Sequence, residues 1–295
     1  MIERIIDLSD NPARLSIHLE QLVIESGDQK NTVPMEEVGV LVVSNPAVTY
    51  TQAVLSGLME HGGVFLACSM RRLPIGMMVS LEGHHLQTER LHEQIEASEP
   101  VRKRVWQQLV QSKIVHQARV LVSLHNKDYG LIAMSGRVNS GDTDNVEGQA
   151  ARKYWPLLFG DLEFRRDPDA GSANSMLNYG YGVLRGIVAR AVVAAGLHPS
   201  IGVHHHNRYD AYCLADDMME PFRPLVDKVV ANYVRDNGEP AELGKNEKRV
   251  LIEALLARHM ADGELRTLFD ITARTAVSLM HLFQGKRKTL VLPDW

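Results

Sequence analysis

The spacing of apolar residues changes once along this 295-residue chain, near His85, and that change restricts the folds open to it. Before it, apolar residues come in short runs at 5–8, 15–23, 38–44, 64–69 and 77–81, and turn-forming stretches (SDNP, SGDQKN, SNP) separate several of them. Such runs read as strands. One helix interrupts them: Thr49 and Gln52 have capping-box spacing, Ala53, Leu55, Leu58 and Met59 supply an apolar face, and Gly62-Gly63 ends it. After His85, the residues Leu86, Leu91 and Ile95, then Val101, Val105, Leu109 and Val110, recur at helical spacing, with Pro100 suited to a first turn. Further helices are expected over about 100–127, 146–156, 173–195, 208–219, 222–236, 247–260 and 264–284. The expected fold is α+β, with a small β-rich N-terminal domain (1–83) followed by a larger all-helical C-terminal domain (84–295).

Composition removes several classes of function. The chain is 45% apolar, enough for a large core, yet no apolar run reaches the roughly 18 residues of a membrane span. The start MIERIIDLSD carries acids where a signal peptide has basic residues, so a cytoplasmic protein is expected. Cys68 and Cys213 lie far apart in apolar contexts and read as buried free thiols, not as a disulfide or a zinc cage. No Walker-type glycine loop or nucleophilic-serine elbow is present.

A net charge of −4 argues against wholesale wrapping of nucleic acid, but the charge is uneven. Residues 1–70 hold 3 basic and 9 acidic side chains, and residues 71–137 hold 10 and 6. The middle stretch, with Arg71, Arg72, Arg102, Lys103, Arg104, Lys113 and Arg119, is the candidate polyanion surface, although a solvated helix face accounts for the same charges.

Three stretches have chemical texture. GVHHHNRYDAYCLADDMMEPFRP (202–224) gathers three histidines with Asp216, Asp217 and Glu220, acids that share a helix face at spacings of three or four. Carboxylates among core-forming residues need a neutralising cation, and imidazole plus carboxylate without Cys suits Mn²⁺ or Mg²⁺. At most one or two of His204, His205 and His206 can point into one site. The polar loop RVNSGDTDNV delivers Glu147 into the first turn of a helix, where the dipole alone would favour an acid, with Arg152 and Lys153 further along. In NSMLNYGYGVLR (174–185), two glycines at about 1 kcal/mol each need an offset. Either the helix packs closely against its neighbours, or Asn178, Tyr179 and Tyr181 line a cleft that contacts phosphate or sugar.

Together, NVEGQAARKYW, NSMLNYGYGVLR and GVHHHNRYDAYCLADDMMEPFRP resemble, in order, the integrase-endonuclease subunit of CRISPR spacer acquisition, most closely its type II branch. The resemblance implies a metal site of Glu147, His205 and Glu220 holding Mg²⁺ or Mn²⁺, with Asp217 as a further acid. It implies transesterification, in which the 3′-hydroxyl of a short duplex DNA attacks a phosphodiester at the end of a CRISPR repeat. Arg71, Arg72, Arg152, Lys153, Asn178, Tyr179, Tyr181, Arg208 and Arg223 are the candidates for DNA contact. It further implies a homodimer formed through the β domain and a small companion subunit in a heterohexamer. An RNA-guided effector nuclease and a duplex-end-binding protein complete the implied set. The alternatives are a metal-dependent nuclease or phosphodiesterase acting on branched DNA without integration, and a catalytically silent scaffold. The stretch GKRKTLVLPDW is expected either to fold back on its own helices or to dock on the companion.

Overall fold

Residues 3–70, 72–161 and 163–295 are described in the computed structural model. The first part of the chain forms β1 (Arg4–Leu8), β2 (Arg14–His18), β3 (Gln21–Ser26), β4 (Gln29–Pro34), β5 (Val38–Val43), β6 (Thr49–Tyr50), helix α1 (Gln52–Glu60), β7 (Val64–Cys68) and β8 (Pro74–Met78). The unbroken apolar run VGVLVV makes β5 a central strand buried on both faces, between parallel β1 and β7, with β8 antiparallel at the edge. A second sheet has the order β4-β3-β2-β6. The run 15–23 is two strands, because Leu19 and Glu20 take positive φ (48° and 59°) and reverse the chain. The edge strand β4, QKNTVP, is mostly exposed and lacks the apolar alternation that would reveal it. Thr51, not Thr49, caps α1, and it makes no side-chain capping bond.

The rest is mostly helical: α2 (Gln87–Glu96), α3 (Glu99–His125), α4 (Leu131–Ser135), α5 (Val146–Phe159), α6 (Ala173–Ala194), α7 (Cys213–Met219), α8 (Arg223–Asn237), α9 (Lys245–Leu256) and α10 (Leu268–Phe283). It is not all helical, as had been expected. Strands β9 (Arg258–Ala261) and β10 (Glu264–Thr267) form an antiparallel hairpin across Asp262-Gly263, whose φ values are 51° and 75°. An Asp-Gly pair in this conformation is a strong hairpin signal, and it overrides the helical spacing on either side.

Two cores hold the molecule. Leu15, Leu22, Met35, Leu41, Val54 and Leu58 fill the space between α1 and the sheets. The other is continuous from Ile5, Val40, Val42, Val64 and Leu66 of the first sheet into α3 and α6. Helix α6 comes close to its neighbours because its glycines have no side chain. A Cβ on Gly182 would lie 2.5 Å from Pro74 Cγ, and one on Gly180 would lie 2.5 Å from Val226 Cγ1. At the same junction Lys248 of α9, almost wholly buried, pairs with Asp10 at 2.7 Å and Asp7 at 3.6 Å. Both cysteines are free, and burial raises both thiols, Cys68 to about 12, so neither is a poised nucleophile. Among the described residues no helix is long and apolar enough to cross a membrane.

Candidate active site

Glu147 is placed by the loop before it. Asp142, buried and at positive φ, accepts hydrogen bonds from the amides of Val146 and Glu147 at 2.9 Å, and Asn145 accepts one from Gly148 N at 3.0 Å. The free donors of the first turn of α5 are thereby satisfied, and Glu147 starts the helix in a fixed orientation. Any side chain on Gly148 would collide with Asn145, whose Oδ1 lies 2.5 Å from where a Cβ would sit.

Asp217 and Glu220, three residues apart, both turn inward from α7 and the single 3-10 turn Glu220–Phe222, with exposures of 0% and 4%. Asp216 takes another direction and pairs with Arg185 at 2.6 Å; burial, helped by a hydrogen bond with Asp210, pushes its carboxyl up to about 7. Asp217 accepts from the backbone amides of Val203, His204 and His205 and contacts His205 Nδ1 at 2.5 Å. Its oxygens are committed to shaping the histidine loop. The hydrogen bond that the His205 ring donates to Asp217 raises the pKa of His205. His204, by contrast, stacks flat on the buried Trp106 with ring centroids 4.1 Å apart, and burial lowers its pKa. Of the three histidines, His205 is the one anchored by a carboxylate through Nδ1, which leaves Nε2 as the ring nitrogen for a ligand.

Between the two glutamates lies a cation that the sequence had suggested for the surface. Lys113 of α3 is 9% exposed, and its Nζ is 2.5 Å from Glu147 Oε1 and 2.5 Å from Glu220 Oε2. Burial works against its charge, but Glu220 and Glu147 outweigh burial and hold its pKa above the ordinary value. Arg223 stands 2.9 Å from Glu220 Oε1. Burial raises the Glu220 carboxyl, yet Arg223 and Lys113 prevail and hold it below its usual range. The donor set fits a hard divalent cation: two carboxylates already gathered around one positive charge, and an imidazole fixed through its other nitrogen. As the side chains stand, no group of three or more His, Cys, Asp or Glu among the described residues is arranged to hold a metal, because Lys113 occupies the space between the acids.

The other expected site residues separate. Arg71 lies outside the described residues. Arg152, Lys153 and Arg208 are exposed. Arg72 is tied to Asp10 at 3.4 Å and to the Leu243 carbonyl at 3.1 Å, a structural joint. The cleft reading of α6 is corrected. Tyr179 and Tyr181 are buried with their hydroxyls given to Asp7 and Asp227, and Asn178 is held by Arg166 at 2.5 Å and by the Pro168 carbonyl. The two tyrosines face the core because α6 is wrapped by protein on nearly every side, whereas Asn178 is only part-buried.

The family model for CRISPR associated protein Cas1 matches residues 7–259, and the chain belongs to that family. It is 37% identical to CRISPR-associated endonuclease Cas1 of Neisseria meningitidis serogroup C (strain 8013), across 84% of this chain and 82% of that protein. Among solved structures, a casposase bound to integration product shares the fold with a TM-score of 0.82 at 18% identity, covering 97% of this chain and 92% of that one. A Cas6-RT-Cas1–Cas2 complex gives 0.79 at 17% identity, covering 100% of this chain and 37% of that one.

Proposed function

We propose that this protein is a divalent-metal-dependent DNA integrase and endonuclease of CRISPR adaptation, joining the 3′-hydroxyl ends of short spacer DNA to the ends of a CRISPR repeat. The observation that carries the reading is the pair of part-buried Glu147 and buried Glu220, drawn around a single cation, with an imidazole locked by Asp217. The endonuclease name of the Neisseria relative and the Cas1 family model support it.

Glu147, Glu220 and His205 Nε2 would hold Mg²⁺ or Mn²⁺. Such an ion, when bound, supplies Lewis-acid polarisation of a phosphoryl oxygen and lowers the pKa of the attacking hydroxyl. Asp217 keeps the His205 ring in one orientation and one tautomer. Arg223 and Lys113 supply positive charge against the extra negative charge that builds on the phosphoryl oxygens. In the joining step the 3′-oxygen of the spacer forms a bond to phosphorus, the bond to the repeat's own 3′-oxygen breaks, and one proton moves from the attacking hydroxyl to the leaving oxygen by way of solvent. Arg152 and Lys153, exposed on the helix whose first turn carries Glu147, and Arg208 on the histidine loop contact the DNA backbone.

The protein works as a homodimer with a small companion subunit in a heterohexamer, a reading supported by the Cas1–Cas2 assembly among its structural neighbours. An RNA-guided effector nuclease and a duplex-end-binding protein choose the spacers, and the work takes place in the cytoplasm. The test incubates protein and companion with a short duplex and a supercoiled repeat-bearing plasmid, with and without Mn²⁺. Joined product is expected only with the metal, falling by about 10²-fold or more in Glu147→Gln and Glu220→Gln. Shortened strands without joining would instead indicate the branched-DNA nuclease, and full activity in both variants would leave the site without a catalytic role.

A further inference from the structure

Residues 290–295 form no helix or strand, yet they are fastened to the helical body at several points. Leu290 N donates to Gln108 Oε1 at 2.8 Å and Val291 N to Ser278 Oγ at 2.9 Å, while Arg119 donates to Asp294 Oδ1 at 2.9 Å and to the Trp295 carbonyl at 2.8 Å. Gln108 and Arg119 belong to α3, as does His116 between them, so the segment runs along one side of that helix. The fastening holds the Trp295 ring among three others: His116 at 5.3 Å between centroids, Phe222 at 5.6 Å and His259 at 5.3 Å.

Two of those three partners lead to the active site. His116 is 2% exposed, and its Nδ1 lies 2.9 Å from the carbonyl of Pro221; a carbonyl can only accept, so Nδ1 carries the hydrogen. Pro221 and Phe222 follow Glu220 directly in the same 3-10 turn. The His116 ring therefore gives the Pro221 carbonyl a partner from outside the turn. His116 also lies one helical turn beyond Lys113. We infer that Trp295 and His116 are positioning residues for the reaction: the ring of Trp295 braces His116 and Phe222, and these hold the Glu220–Phe222 turn so that the Glu220 carboxylate faces Glu147. The inference rests on the assignment of Glu220 to the metal site and adds to it residues that lie outside the three sequence motifs. The Trp295 indole N–H has no hydrogen-bond partner, so the brace acts through ring packing and a Phe can replace it.

The test compares Trp295→Ala, Trp295→Phe and the gentler Asp294→Asn, which releases the fastening to Arg119 from an exposed position. Three readouts are taken on the full chain: amide hydrogen exchange of the segment containing residues 218–223, Mn²⁺ affinity, and the kcat and KM of strand joining. Trp295→Ala is expected to speed exchange in that segment, and to weaken Mn²⁺ binding and lower kcat by about tenfold with KM for DNA unchanged, the size of effect seen when outer supports of a metal site are removed. Trp295→Phe is expected to restore all three, and Asp294→Asn to shift them in the same direction by a smaller amount. Should Trp295→Ala fail to fold, Asp294→Asn decides. Unchanged exchange, Mn²⁺ affinity and kcat in a folded variant would overturn the brace. Wild-type protein that binds no Mn²⁺ would overturn the reading of the site instead, and the exchange of residues 218–223 would still decide the brace.

Discussion

Lys113 shows how a single residue can be misread from charge alone. It sits among basic residues and counts towards a polyanion surface, but Leu109, Val110 and Ile114 are fully buried and set the inward face of α3, and Lys113 falls on it. Its spacing from Leu109 and Val110 was the available signal. Burying an ammonium there is tolerable only because two carboxylates meet it, and removing one partner of such a group is costly. Lys113→Met is expected to lose about 3–5 kcal/mol in denaturant melts without metal and to regain much of it when Mn²⁺ takes over the neutralising role. A loss that millimolar Mn²⁺ does not relieve would mean that the acids do not receive the ion. His116 gives a second test through pH. Burial lowers its pKa from 6.5 to about 4, so it is neutral in the folded protein and readily protonated when unfolded. The stability it contributes is present above about 6.5 and is lost as pH falls through about 4, on the order of 3 kcal/mol. The stability gap between wild type and His116→Asn is therefore expected to shrink from pH 7.5 to pH 4.5 in urea titrations, and a constant gap would contradict it.

At the scale of elements, the change of period near His85 made the strands and long helices readable, because core-facing residues repeat every second or every third to fourth position. What stayed hidden were elements decided by a few backbone angles: the reversal at Leu19-Glu20, the polar edge strand β4, and the Asp262-Gly263 hairpin within what reads as helix. Helix α6 was legible as a helix, but which of its two explanations applied was not. The structure favours close packing, since Gly182 lies against the rigid ring of Pro74, with Cγ, Cβ and Cδ all 2.5–3.1 Å from a built Cβ. Gly182→Ala is expected to gain helix propensity and still lose about 1–3 kcal/mol through overpacking against β8. A rise in melting temperature would show that β8 yields easily at that point.

For the whole molecule, the order of three motifs carried more than any one of them, since Glu147, His205 and Glu220 lie on α5, a loop and a 3-10 turn, and it is the tertiary fold that draws Glu147 and Glu220 around Lys113. Sequence spacing offered no way to join Glu147 to the other two, nor to tell His205 from His204; the structure distinguishes the two rings, one held by Asp217 and the other stacked on Trp106. Arg152, Lys153 and Arg208 are exposed, while the buried Lys113 and the part-buried Arg223 meet Glu220 from the protein side. The most direct measurement is anomalous diffraction from crystals soaked in manganese. The account predicts one peak bonded to Glu147, Glu220 and the Nε2 atom of His205, with the Lys113 ammonium displaced from between the acids. Diffraction that leaves Lys113 bridging them with no peak, or places the manganese elsewhere, would contradict it.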